Sequence, residues 1–362
     1  MAPTYRTEDP PPYGEVEQVS PLVRRVVARN PSPFTYHGTG TFLVGPPSGG
    51  EVAIIDPGPD DDDHVAAVLR AVEGQRVSHL LVTHTHPDHS PATAAVREAT
   101  GAPAYGFGPH PEEAVRAHEE RVRRALETDE EPESEDGEGA GDLDFVPDVA
   151  TVDGDVIAGD GFTFEALHTP GHISNHLCFA LREEATLFTG DHVMGWSTSV
   201  IPAPDGDLND YLTNLRRLLH RSETTYRPTH GPAITDPVPY VAALVEHREM
   251  RERQIVDALA DGPRDITSLV AEMYADVDEK LHLAAGASVY AHLLALSRSG
   301  RAERLADDDS DWKSDWQLVC TQSTRSGLLA GDRHHLAGHV RRVVTGQEHH
   351  HVGYLPRFGG PA

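Results

Sequence analysis

The sequence predicts an α/β layered domain followed by a helical winged-helix module, on three observations. Short apolar runs enclose an amphipathic helix pattern over residues 23–84, a second strand-rich stretch covers 162–191, and beyond Pro239 the pattern is helical alone. Residues 1–15 are proline-rich and expected to be mobile. "VRRVVAR", "GTFLV" and "VAIID" then read as short strands, separated by the turn signals "NPSP" and "GPPSGG". In "HVAAVLRAV" Val65, Val68, Leu69 and Val72 recur at helical spacing, and "VSHLLVTH" reads as a buried strand.

Residues 127–144, "ETDEEPESEDGEGAGDLD", are acidic and almost free of apolar positions, so burial cannot offset the entropy of ordering and a solvated insertion is expected. Strands follow in "FTFEALHT", "HLCFAL" and "ATLFTGD". A helix at about 208–221 aligns Leu208, Leu212, Leu215, Leu218 and Leu219, and "YRPTHGP" closes the half. Helices are predicted at about 239–260, 266–275 and 280–299, the last with Leu281, Ala285, Val289, Leu293 and Leu296 on one face. With strand candidates in "GRAERLA" and "DWQLV", they suggest a winged helix-turn-helix. The expected domains are therefore 16–240 and 241–319, with a flexible tail over 320–362.

Acidic residues outnumber basic ones by 58 − 30 = 28, so the folded surface is negative and overall charge will not hold nucleic acid. Lys280 and Lys313 are the only lysines, which fits a high-GC coding bias as well as adaptation to salt. Cys178 and Cys320 stand far apart and form no C-x-x-C pair, which argues against a disulfide framework or a cysteine zinc site. No apolar window reaches the roughly 18 residues of a membrane span, and the N-terminus lacks a signal-peptide pattern. A soluble protein of the reducing cytoplasm is expected, with the two-fold homodimer as the default assembly.

The chemistry concentrates in "LLVTHTHPDHSPA". His84, His86, Asp88 and His89 spell H-x-H-x-D-H in a loop at a strand's C-terminal end, where α/β sheets locate ligands. Among 23 histidines any single one, taken alone, reads more readily as a surface or core residue than as a ligand. Four such groups within six positions have no packing rationale, because unpaired buried polar groups cost several kcal/mol each. Further candidates recur at later strand ends: His172 in "HTPGH", Asp191 in "FTGDH" and His230 in "RPTHGP". Together they suffice for one ion on His84, His86 and His172 and a second on Asp88, His89 and His230, with Asp191 bridging. Two Zn2+ suit the His/Asp set best, and Mn2+ or iron also fit. His168 and His176 are expected to support the ligands, with His176 or Ser174 assisting by hydrogen bonding, and His79 to lie on a solvated strand face.

"THTHPDH", "HTPGH", "TGDHV" and "THGP" resemble the ordered motifs of the metallo-β-lactamase superfamily over roughly residues 16–240. "NPSPFTYHGTGTFLVG", "HISNHLCF", "GDHVMGWSTSV" and "HREMRERQI" further resemble its β-lactamase-like protein 2 family. The resemblance implies a four-layer αβ/βα sandwich with metals at the sheet edges, the ligand roles given above, and cleavage of single-stranded RNA. The acidic insertion and the tail depart from that pattern.

Water held between two divalent ions loses its proton near neutral pH and attacks a carbonyl or phosphoryl centre, with Asp88 orienting it and Asp191 setting the metal spacing. The provisional reading is thus a metal-dependent endonuclease acting on single-stranded RNA. The alternative is a small-molecule thioester, lactone or β-lactam hydrolase of glyoxalase II type. A non-catalytic winged-helix regulator is the third class, disfavoured by the complete ligand set. Residues 245–304 hold eight Lys or Arg against eleven Asp or Glu, which leaves only Arg298, Arg301 and Arg304 as a small phosphate contact. Ser310 and Lys313 match S-x-x-K without its companion motifs and are read as chance.

Overall fold

The computed structural model describes residues 3–112, 115–117, 119–120, 141–275, 282–305 and 313–319. Most of the expected acidic insertion, the expected tail, Leu281 and Ser310 lie outside these residues. The chain forms two compact units that divide after Glu249.

The first unit is built on two mixed sheets. One runs in order β1 (Glu17–Gln18), β2 (Val23–Val27), β3 (Gly40–Val44), β4 (Glu51–Ile55), β5 (Arg76–Leu81), β6 (Ala104–Gly106) and β7 (Val149–Ala150), parallel from β4 onward. The other runs β12 (Thr225–Pro228), β11 (Thr186–Gly190), β10 (Leu177–Leu181), β9 (Phe162–His168) and β8 (Val156–Gly159). Alternate residues face opposite ways along a strand. Phe42, Val44, Ala53, Ile55 and Leu81 accordingly meet Phe162, Phe164, Phe179 and Phe188 of the other sheet in one core. Their neighbours Leu43, Val52, Ile54 and Leu80 pack outward on Ala67 and Val68 of α1 (Asp62–Ala71), on Val72 just after it, and on Val96 of α2 (Thr93–Thr100). Burial on both faces explains why these strands read as unbroken apolar runs. On the far side α3 (Leu208–Leu218) lies over the second sheet, with Arg217 donating to the His168 carbonyl at 3.2 Å and Tyr226 to the Leu218 carbonyl at 3.4 Å. The layering is thus helix, sheet, sheet, helix.

Topology brings the strand ends together. β9 and β11 are each antiparallel to β10, and β12 is parallel to β11, so β9, β11 and β12 all end at the same edge of their sheet. β4 and β5, parallel to one another, likewise end at one edge of theirs.

The proline-rich N-terminus is tied to the domain at several points. Arg6 bonds through its backbone to the Gly195 carbonyl at 2.8 Å, Glu8 receives the Tyr36 hydroxyl at 3.2 Å, and Gly14 donates to Val27 at 3.0 Å. Besides the bond from the Glu15 N–H to the Pro12 carbonyl at 3.2 Å, the segment takes its partners from the domain it crosses.

α4 (Pro237–Ala260) begins with a proline at its first turn, where a missing N–H is tolerated. It runs without a break through the expected boundary at 240, burying Tyr240, Val241 and Leu244 in the first unit. In the second unit, α5 (Ile266–Met273) and α6 (His282–Arg298) join the end of α4, and β13 (Ala302–Arg304) pairs antiparallel with β14 (Trp316–Leu318). Ile255, Leu259, Ile266, Leu269, Val289, Leu293 and Trp316 form its core. This is the predicted winged-helix arrangement. Among the described residues no helix is long and apolar enough to cross a membrane.

Candidate metal centre

His84, His86, Asp88 and His89 leave the C-terminal end of β5, while His172, Asp191 and His230 follow β9, β11 and β12. The two sheets bring all seven together. Ligand-capable atoms of three groups lie within 4.8 Å of one another: His84, His86 and His172; His84, His89 and Asp191; and Asp88, His89 and His230.

Hydrogen bonds behind the rings fix which nitrogen faces the centre. Nδ1 of His172 donates to the Val200 carbonyl at 2.6 Å, and Nδ1 of His230 to the Gly38 carbonyl at 3.2 Å. Nδ1 of His89 donates to Asp56 Oδ2 at 2.9 Å. Thr83 gives its hydroxyl hydrogen to Asp56 at 2.8 Å, so its oxygen can only accept from His84 Nδ1 at 3.0 Å. In the neutral rings, four Nε2 lone pairs therefore point inward. Nδ1 of His86 stands 3.0 Å from Nε2 of His84 and 2.9 Å from Nε2 of His172. At most one proton can serve these three nitrogens. Their spacing is slightly inside the roughly 3.3 Å edge of a tetrahedron with about 2.0 Å zinc–nitrogen bonds, so a cation fits where the lone pairs converge.

The second group is more acidic. Asp88 Oδ2 lies 3.1 Å from His230 Nε2 and 3.3 Å from His89 Nε2. Asp191 Oδ2 is 3.4 Å from His230, 3.6 Å from His89 and 3.9 Å from His172, which sets this carboxylate between the groups. His89 Nε2 and Asp191 Oδ1 are buried without a hydrogen-bond partner.

The electrostatics give the same answer. Burial alone disfavours charge on His230, yet the Asp191 and Asp88 carboxylates outweigh it and push the imidazole up to about 10. His89 is raised well above its ordinary value, against burial, by Asp88, Asp191 and Asp56. Both carboxylates are held low, against their burial, by the adjacent imidazoles. Burial pushes His84 and His86 well below the usual histidine range, and neighbouring rings add to the effect. In the absence of metal, protons collect where the two carboxylates converge. The site is built to hold positive charge.

His176 contacts the centre at one remove, its Nε2 accepting from the Asp191 backbone N–H at 3.3 Å and its Nδ1 meeting Thr169 at 2.8 Å. His168 stacks on Phe107 with centroids 4.0 Å apart and donates to the Ser174 carbonyl. The Ser174 N–H is taken by Asp205 at 2.5 Å. His79 is half-buried rather than solvated: its ring meets Phe162 edge-on at 5.9 Å, because its strand faces a second sheet.

Asp56 was not singled out in the sequence. It sits just beyond β4 at φ 49°, accepts from the Thr83 N–H at 2.7 Å and from Thr229 at 3.0 Å, and orients His89. Its only trace in the sequence is an acidic residue closing an apolar strand before Pro57 and Gly58.

This combination of layers and strand-end ligands defines a metallo-hydrolase fold. A model of the metallo-β-lactamase superfamily matches residues 37–230, and a β-lactamase-associated winged-helix domain matches 266–312. The chain belongs to the metallo-β-lactamase superfamily, and it is a hydrolase. It is 30% identical over 306 residues to the β-lactamase-like protein 2 homolog of Caenorhabditis elegans, covering 82% of this chain and 91% of that protein. It is 31% identical over 256 residues to an atrochrysone carboxyl ACP thioesterase of Claviceps purpurea (strain 20.1), covering 70% of each. A metallo-β-lactamase family protein from Thermus thermophilus shares the fold with a TM-score of 0.65, at 22% identity over 83% of this chain and all of that one.

Proposed function

We propose that the protein is a dinuclear metal thioester hydrolase acting on small acyl thioesters. His84, His86 and His172 would hold one ion and Asp88, His89 and His230 the other, with Asp191 shared, and Zn2+ suits the donors best. Bound there, the ions supply Lewis acidity and lower the pKa of coordinated water to about 7.

The chain's own groups do the rest. Asp88 has a 22% exposed side chain, while His89 and His230 beside it are 0% and 1% exposed. Its carboxylate is therefore the group that meets incoming water, orients it and takes its proton. The Thr39 hydroxyl donates to Asp88 Oδ2 at 2.8 Å and keeps that carboxylate turned to the centre. Attack forms a C–O bond at the acyl carbon and breaks the C–S bond, releasing a carboxylate and a thiol.

The observation that favours a thioester over RNA is electrostatic. The net charge is −28, and two of the three arginines expected to meet phosphate are engaged within their own unit. Arg301 pairs with Glu252 at 2.6 Å, and Arg304 donates to Ser314 at 3.0 Å. A phosphodiester chain gains affinity by displacing counterions with cationic side chains, and these two are already engaged. The thioesterase relatives support the same choice.

The RNA reading rests only on what the motif resemblance implies. Metal-loaded protein assayed on S-lactoylglutathione, on an acyl-CoA and on labelled single-stranded RNA separates the two. Thioester cleavage that disappears in Asp88→Ala, with RNA intact and no salt-dependent RNA binding, is the expected result. RNA cleavage with both thioesters untouched would overturn it.

A further inference from the structure

We infer that Arg248, on α4, is a positioning residue for the metal centre: it holds the Ser199 carbonyl, thereby fixes the adjoining Val200 carbonyl, and so sets the ring of His172. The inference rests on the reading of His172 as a ligand.

Residues 191–207, between β11 and α3, contain neither helix nor strand. This loop nevertheless supplies the Val200 carbonyl that accepts from His172 Nδ1 at 2.6 Å, a contact that selects the tautomer and aims Nε2 at His86. α4 pins the loop at two carbonyls. The Tyr240 hydroxyl donates to Met194 at 2.8 Å, and Nη2 of Arg248 donates to Ser199. Tyr240 and Arg248 are eight residues apart, near enough to two turns to share a helix face.

Arg248 also reaches the other flank of His172. Its guanidinium lies 5.6 Å from the centre of the Tyr211 ring. The Tyr211 backbone is packed so closely on Gly171 that a Cβ there would come within 2.5 Å of its nitrogen. Gly171 immediately precedes His172, at φ 144°. One buried side chain, 3% exposed, thus contacts both the loop that orients the ring and the helix residue against which the ring's backbone is seated. Arginine suits this double task because its planar fork can donate to a carbonyl while stacking on an aromatic face.

Zn2+ binding measured by competition with a chromophoric chelator tests the idea without reference to turnover. Arg248→Met is expected to weaken one of two binding steps by about 10–100-fold, the range for partners that orient a ligand histidine. His172→Ala is expected to remove that same step. In the double variant the remaining step should match that of His172→Ala alone, since Arg248 acts through His172. Unchanged binding in Arg248→Met, or a further weakening in the double variant, would overturn the inference, because a general structural role adds to both backgrounds. Should Arg248→Met not fold, Arg248→Lys, which keeps the charge and loses the fork, carries the same cycle. Two intact steps in His172→Ala would overturn the ligand assignment itself, and the inference with it.

Discussion

Asp56 Oδ2 lies 2.9 Å from His89 Nδ1, inside a carboxylate that also accepts from Thr83 and Thr229. Two sheets meet at this residue, since Asp56 follows β4 while Thr229 follows β12. Replacing Asp56 with Asn would turn an amide donor toward at least one existing donor. Metal affinity is expected to fall about 10–100-fold. Stability should fall by about 2–3 kcal/mol, as for lost hydrogen bonds to a buried charge. Chelator competition and urea unfolding of the metal-free protein measure the two effects separately.

Asp191 sets its carboxylate between the two ligand groups. In Asp191→Asn the amide has the same shape without the charge that draws the groups together. Thioester hydrolysis is expected to fall by about 10²-fold or more, as when reacting groups are misplaced by about an ångström. Steady-state kinetics at saturating metal, alongside an elemental count, shows whether kcat drops with metal still bound.

Removing the metal should destabilise the first unit, because ions bind the folded state and leave the unfolded one. At free metal about 100 times the dissociation constant the linkage is worth ~2.7 kcal/mol. For a domain of this size that corresponds to a fall in Tm of roughly 5–10 °C. Thermal unfolding with and without a chelator checks it.

His64 gives the fold an acid sensitivity away from the metal. Burial pushes its imidazole down to about 4, although Asp61 and the Pro57 carbonyl pull the other way. The folded value is depressed, so the unfolded chain binds the proton first as pH falls below about 6.5. Stability is therefore full above that pH and is lost progressively down to about 4, by about 3 kcal/mol in all. His64→Gln, which can keep a bond to Thr41, should flatten the urea midpoint over that window relative to the parent.

Lys313 is exposed and lies in the winged-helix unit. Lys313→Ala is expected to leave thioester hydrolysis unchanged. A loss of hydrolysis would reopen the S-x-x-K reading.

The seven candidate ligands were legible because four crowd into six positions behind an apolar strand, while His172, Asp191 and His230 each follow a strand and adjoin a glycine, and their order matches a recognisable motif set. Asp56 was not, since a single acidic residue after "VAII" looks like any turn residue and its left-handed backbone leaves no mark in composition. Arg248 was hidden among the charged residues of "HREMRERQI", of which the fold buries this one. α2, β6, β7 and β8 escaped notice because they are short and offer few large apolar residues to a periodicity count. The expected boundary at 240 falls within a helix that continues to Ala260.

Four of the candidate ligands hang from one sheet and three from the other, so neither half of the sandwich holds a full coordination shell. Ions held as proposed would draw on both layers at once and would tie together stretches of chain far apart in sequence. Metal uptake by the purified protein would then report on tertiary assembly.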